Sequence, residues 1–458
     1  MMKILKWLLG CVVAIVLVLI AWLAVSPPEL IRVAAKYSAK IVCSNVFLAN
    51  RDANEVLKID VQAPGHPILT VMNVDVNREK GTVEAGLFGL FGNGLAVHRP
   101  GFGCTTVPDG NVAALPELPS LIAVSNDPSI DWPLGDGVLE ATDQKFDEIF
   151  NDETLAGPGM RAIVIVKDGK IIAERYADGF SPTTPFLGWS MAKTVTASLV
   201  GRMIEMGNLD LAQNNLFDAW ADDNRRQIKL SDLMGMAGDL EWNEGYGTVS
   251  DVTRLLYLDP DIAKAIISKP LATLDGSNVG KKFNYSSGTT VAIARHMQDR
   301  FEDNLAALAF PHDELFTRLG MTSAIMETDS RGNLVGGSYV YATARDWARF
   351  GQFLLQKGNW NGEQLLPNGY VDWMTKPHPA TEDGRYGQGQ IWLRPPGAGR
   401  EGDNPQFDHR AFWLGGHDGQ SIAIMPDENL VIVRLGLTPS KLLYKPAKLA
   451  NAVVAATQ

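Results

Sequence analysis

A serine and a lysine stand three positions apart in the stretch Gly188-Trp189-Ser190-Met191-Ala192-Lys193-Thr194. A serine hydroxyl is a poor nucleophile until a neighbouring base takes its proton, and a lysine can be that base only if its ammonium is destabilised. At helical spacing Ser190 and Lys193 share one face. Burial and the positive end of a helix dipole both push an amine towards its neutral form. The backbone N–H of Ser190 at such a helix start is also offered to a developing oxyanion. One S-x-x-K is expected by chance in a chain of this size, so the spacing needs support from elsewhere.

Two later segments supply it. Lys282-Phe283-Asn284-Tyr285-Ser286-Ser287-Gly288 sets Tyr285 and Ser287 two apart just before a helical run from Thr290 to Gln298, and a phenol there could relay a proton between nucleophile and leaving group. Trp413-Leu414-Gly415-Gly416-His417-Asp418-Gly419-Gln420 holds the chain's one H-x-G and runs directly into a strand. The Gln420 backbone N–H on that strand edge is a second candidate oxyanion donor.

Competing chemistries fit less well. Gly188-Trp189-Ser190-Met191-Ala192 nearly spells a G-x-S-x-G nucleophile elbow, but the preceding Pro182-Thr183-Thr184-Pro185-Phe186-Leu187 has little strand character. The seven histidines show no metal-binding spacing, so neither a zinc site nor any other cofactor is expected. Asp239, Glu241 and Glu244 follow a helix stop and read as a solvated loop.

The elements that must hold these residues are legible around them. Ala162 to Val166, the Asp168-Gly169 turn and Ile171 to Tyr176 form a hairpin signal. A helix from about Ser190 to Met206 stops at Gly207-Asn208. Thr343-Ala344-Arg345-Asp346 has capping-box spacing before the apolar stripe Trp347, Phe350, Phe353 and Leu354. Strands at Gln420 to Met425 and Leu430 to Leu435 precede a short helix from Ala447 to Ala456. Strands at both ends with helices between predict an α+β sandwich in which both ends of the domain join one antiparallel sheet.

Upstream, Trp7 to Val25 is a run of 19 uncharged residues behind Lys3 and Lys6, long enough as a helix to approach a hydrocarbon core of about 30 Å. The best cleavage alternatives place Trp22 at −3 or Pro27 directly after the cut, so residues 1–26 are expected to stay as an uncleaved anchor. The flanking lysines predict the bulk of the chain outside the inner membrane, in the periplasm. Cys43 and Cys104 are then candidates for one disulfide, the alternative being two separate buried thiols. Residues 27–107 read as a β-rich accessory module, 108–137 as a Pro-rich linker or wrapping arm, and 138–458 as the chemical domain.

The 458 residues are 46% hydrophobic and 20% charged with a net charge of −11, which excludes disorder and offers no basic field for nucleic acid.

Taken together, Ser190-x-x-Lys193, Tyr285-x-Ser287 and His417-x-Gly419, in that order, resemble the three motifs of the penicillin-recognising serine hydrolases. The resemblance is nearest the branch of class C β-lactamases, family VIII carboxylesterases and 6-aminohexanoate-dimer hydrolases. Leu233-Met234-Gly235-Met236, Leu240-Glu241-Trp242-Asn243 and Tyr341-Ala342-Thr343-Ala344-Arg345-Asp346 also look like that branch. It implies a β-lactamase-like sandwich with a helical subdomain and an acyl-enzyme on Ser190. Lys193 and Tyr285 would move its proton, and the N–H groups of Ser190 and Gln420 would form the oxyanion hole. Ser287, His417 and Gly419 would line the substrate, with Trp189, Tyr339 and Trp413 as apolar walls. Ser287 replaces the asparagine, and His417 the lysine, usual in β-lactamases. A neutral imidazole anchors a carboxylate less well than an ammonium, so small esters or amides are the expected substrates, with β-lactams, D,D-peptides or a non-catalytic binding role as alternatives.

Overall fold

The computed structural model describes residues 2–63, 65–138, 144–397 and 406–458. The chain divides into two compact units, one of Met1–Leu115 with Gly245–Pro260 and one of Pro116–Glu244 with Asp261–Gln458.

The first unit begins with α1, Met2–Val25. Its Ile4–Val25 stretch has mean hydropathy 3.1 and is wholly unburied, the one helix among the described residues long and apolar enough to cross a membrane. Pro27 and Pro28 end it, because neither can donate the backbone N–H that helix continuation requires. Helix α2, Glu29–Leu48, follows.

Residues 41–48 therefore differ from the β-rich reading of this region. Ile41-Val42-Cys43-Ser44-Asn45-Val46-Phe47-Leu48 has strand-like composition, but its buried positions continue a helical repeat begun upstream at Ile31, Ala35 and Ser38. Strands β1 (Met72–Asn77), β2 (Thr82–Leu87), β3 (Phe91–Arg99) and β4 (Gly103–Thr106) form an antiparallel meander. It lies directly on α2: a Cβ at Gly94 would sit 2.3 Å from the carbonyl oxygen of Ala35. A disulfide joins Cys43 of α2 to Cys104 of β4, with Cα atoms 6.1 Å apart. The helix Asp251–Tyr257 completes this unit, with Tyr257 edge-on to Tyr37 of α2 at 5.7 Å.

In the second unit, β5 (Met160–Lys167) and β6 (Lys170–Tyr176) form the expected hairpin, and β7 (Phe412–Gly416), β8 (Gln420–Met425) and β9 (Leu430–Gly436) come from the other end of the domain. The sheet is open, with order β7-β8-β9-β5-β6 and every pair antiparallel. Both faces are covered, which is why Ala162 to Val166 is continuously apolar rather than alternating.

On one face, α3 (Gln144–Asn151) supplies Phe146 and Phe150 to a core shared with Ile163, Ile165 and Ile432. The flanking helices continue with α4 (Ala192–Glu205) and α5 (Ser287–Gln298). On the opposite face lies α6 (Ala344–Leu355), capped by Thr343, whose hydroxyl accepts from the Asp346 N–H. Gly351 lets α6 approach the sheet, since a Cβ there would lie 2.6 Å from Val431. Helix α7 (Pro446–Thr457) returns to the α3 side.

Residues of the Pro-rich stretch are held against this unit. Arg349 of α6 donates to the Pro133 carbonyl at 2.9 Å and to Asp136 at 2.6 Å, and Asn126 donates to the Gly320 carbonyl at 2.8 Å. Asn126, Pro133 and Asp136 of this stretch are thus tied by hydrogen bonds to residues of the same unit.

Candidate active site

Ser190 lies in a tight turn, Trp189–Met191, that feeds α4. Pro185–Leu187 before it does form a short strand, contrary to its composition. It sits at the edge of a three-stranded antiparallel sheet, where a proline's missing donor is tolerated. This is not the buried strand a nucleophile elbow needs.

The turn is held from two sides. Gly188 N–H donates to the Val340 carbonyl at 2.9 Å. Gly416, at the end of β7, packs so closely that a Cβ would lie 2.3 Å from the Gly188 oxygen. Between them Trp189 adopts φ +48°, a left-handed conformation that costs a bulky residue about 1–3 kcal/mol. Its ring packs against Tyr339 at 6.0 Å and His417 at 5.6 Å.

Lys193, the second residue of α4 and one turn beyond Ser190, is 1% exposed. Its Nζ lies 3.1 Å from Ser190 Oγ, 2.8 Å from Ser287 Oγ and 2.8 Å from the Gly337 carbonyl oxygen. Burial lowers its pKa from 10.5 to about 8, while the negative charge of Glu244 opposes the shift. Tyr285 stands over the same amine, with Nζ 4.9 Å from its ring centre. Burial first and Glu244 second push the phenol's pKa up. The structure thus brings Ser190, Lys193, Tyr285 and Ser287 together.

Glu244 is the residue the sequence reading missed. Of the three acids assigned to a solvated loop, Glu241 is exposed and Asp239 is buried, accepting from Thr273. Glu244 instead accepts from the Ser287 hydroxyl at 2.5 Å, the Ser287 N–H at 2.8 Å and the Trp242 indole at 2.5 Å. The signal available was the pairing of Trp242 with an acid two residues on, since an indole N–H needs an acceptor when buried.

His417 and Gly419 sit in the turn between β7 and β8, where Asp418 and Gly419 have φ +58° and +82°. Burial works against a charged His417, but the hydrogen bond and charge of Asp418, with its carboxylate 3.0 Å away, together with the charge of Glu244, raise the imidazole pKa. Its environment therefore favours the imidazolium more than the sequence reading assumed. Gln420 is anchored by its side chain, which donates to the Gly436 carbonyl at 2.6 Å and accepts from the Gly436 N–H at 2.9 Å.

Two of the aromatic expectations need revision. Trp413 is 1% exposed and belongs to the core beneath α3 and α7, because strand alternation turns it away from the face that Trp189 occupies. Trp392, bridged to Trp413 through the backbone, is the aromatic beside the site, stacked on Tyr285 at 5.2 Å. Tyr339 is 2% exposed and supports Trp189 from behind. Among the described residues no group of acids, cysteines and histidines is arranged to hold a metal ion.

An open antiparallel sheet flanked by helices, with a serine, lysine and tyrosine converging at its edge, is the architecture of the β-lactamase-like serine hydrolases. The chain belongs to that family: the Beta-lactamase family model matches residues 138–446. A 6-aminohexanoate-dimer hydrolase of Paenarthrobacter ureafaciens is 24% identical over 226 residues, which is 46% of this chain and 56% of that protein. A Bacillus anthracis protein provisionally described as a 6-aminohexanoate-dimer hydrolase shares the fold with TM-score 0.56 and 22% identity, over 74% of this chain and 90% of its own. A penicillin-binding protein from Bacillus halodurans superposes with TM-score 0.51 and 15% identity, over 68% and 99%.

Proposed function

We propose that the protein is a membrane-anchored serine hydrolase that cleaves small ester or amide substrates, oligoamides among them, through an acyl-enzyme on Ser190. The observation that carries this reading is the hydrogen bonding of Lys193. A neutral amine has two N–H donors and one lone pair. Ser287 gives its own proton to Glu244 and so can only accept from Lys193, and the Gly337 carbonyl accepts the second N–H. The lone pair is left for the Ser190 hydroxyl at 3.1 Å. Lys193 then removes the Ser190 proton as Oγ attacks the scissile carbonyl, and Tyr285 returns a proton to the departing amine or alcohol. The N–H groups of Ser190 and Gln420 receive the oxyanion. Water attacks the resulting ester by the reverse route and frees the acid.

Ser287, in place of the asparagine of β-lactamases, favours the branch of the 6-aminohexanoate-dimer hydrolases and carboxylesterases over β-lactam turnover, whereas His417, its pKa raised by Asp418 and Glu244, keeps part of the cationic character of the lysine it replaces. The run Ile4–Val25 would hold the enzyme in the inner membrane with its chemistry on the periplasmic side.

The test is the intact mass of the full chain in detergent before and after a fluorophosphonate probe and, separately, a penicillin. One fluorophosphonate adduct at Ser190, absent from Ser190→Ala, with short-chain ester hydrolysis and no lasting penicilloyl adduct, is the expected result. A stable penicilloyl adduct would turn the assignment towards penicillin binding. No adduct with either reagent would sink it.

A further inference from the structure

The small sheet of the first unit has two unlike ends, and their order relative to the proposed anchor is fixed by contacts within that unit. Gly92, at the start of β3, faces Ile31 and Ala35 in the first turns of α2, with a would-be Cβ 2.9 Å from the Ala35 methyl and 3.1 Å from Ile31. Gly94 faces Ala35 and Lys36. Farther along, His98 stacks on Phe47 at 4.8 Å. Strand β3 therefore runs parallel to α2, and the β2–β3 turn that precedes it lies at the end where α1 enters. Helix α1 and β3 are in contact.

That turn is Leu87-Phe88-Gly89-Leu90-Phe91, within a stretch from Ala85 to Val97 that carries no charge. Phe88 is 61% exposed and Leu90 73% exposed. The tip is ordered by its backbone: Phe88 N–H donates to Val71, Gly89 to Gly86 and Leu90 to Leu87. Phe88 is held at φ +53°, a conformation an aromatic residue rarely adopts. At the opposite end of the sheet the β1–β2 turn presents exposed Arg78, Glu79 and Lys80. One end is dressed for water and the other for an apolar environment, and the apolar end is the one beside the membrane helix.

We infer that the β2–β3 tip is a second membrane contact, with Phe88 and Leu90 inserted in the interfacial region of the leaflet from which α1 emerges. This rests on the anchor reading for its placement. The tip would give the first unit a second point of attachment, and two points fix how it stands on the bilayer better than the helix alone. The absence of charge in the tip points to the headgroup–acyl boundary itself rather than to an anionic headgroup.

The full chain would be reconstituted in phosphatidylcholine vesicles with an environment-sensitive fluorophore on Leu90→Cys, Phe88→Cys or Lys80→Cys, each in a Cys11→Ser background, and on native Cys11 as the anchor reporter. Nitroxide-labelled lipids at shallow and deep acyl positions would quench. The expected result is blue-shifted emission at positions 88 and 90, with shallow quenching at least twofold above that at position 80. Equal quenching at 80, 88 and 90 would overturn the inference, and deep quenching of Cys11 in the same vesicles would show that the anchor reading survives it. An unquenched Cys11 would remove the anchor, and positions 88 and 90 would still decide the tip by their own quenching.

Discussion

Lys193 can be a base only while neutral, and its burial decides at which pH that happens. With its pKa lowered to about 8, the amine is mostly protonated at pH 6 and mostly free at pH 9. We expect kcat/KM for a short-chain ester to rise with pH through about 8 and then level off, whereas a rise centred near pH 10 would mean an unperturbed lysine. Glu244 opposes the burial effect from the side of Ser287. Glu244→Gln removes that charge, so the acidic limb should move to lower pH. The amide can also donate to Ser287, releasing the hydroxyl from its orientation, and kcat should fall about tenfold or more. Loss of activity with an unmoved limb, read from full pH–rate profiles of both proteins, would show that Glu244 only supports the loop.

At the scale of elements, the site depends on β7 meeting the turn before α4 with almost no space between their backbones. A methyl on Gly416 would collide with the Gly188 oxygen rather than with a side chain that could rotate away. Gly416→Ala should therefore cost about 1–3 kcal/mol of stability and, through displacement of Ser190, about 100-fold in kcat/KM. Thermal melting and ester kinetics on one preparation separate the two losses, and unchanged kinetics would disprove the coupling. The elements that carry chemistry were readable beforehand because their signals are local: the Asp168-Gly169 turn, the Thr343 cap, and apolar runs set by a sheet covered on both faces. Other features depend on neighbours far along the chain. Residues 41–48 are helical because α2 is buried under the meander, and Trp413 is core because of the face it occupies. Glu244 has a role only because Ser287, 43 residues later, comes to lie against it.

For the whole molecule, the division into units does not follow the linear order of modules. Gly245–Pro260 interrupts the hydrolase sequence directly after Glu244, yet it belongs to the first unit. Its helix Asp251–Tyr257 buries Val252, Leu255, Leu256 and Tyr257 there. A cut between Leu115 and Pro116 would strand this helix without its partners, leaving four side chains each worth about 1.5–3 kcal/mol of burial exposed to water. A chain beginning at Pro116 should therefore be largely insoluble or bind hydrophobic dyes strongly. The same chain with 245–260 replaced by a short Gly/Ser linker should recover solubility. Because Ser190, Lys193, Tyr285, Ser287 and Glu244 all lie in the second unit, the linker variant should also keep fluorophosphonate labelling at Ser190. Soluble yield, dye binding and labelling of the two truncated chains read these outcomes separately. If the chain from Pro116 is already soluble and labels fully, the first unit is dispensable to the hydrolase. If the linker variant is soluble but unlabelled, the segment after Glu244 is needed to hold that carboxylate against Ser287.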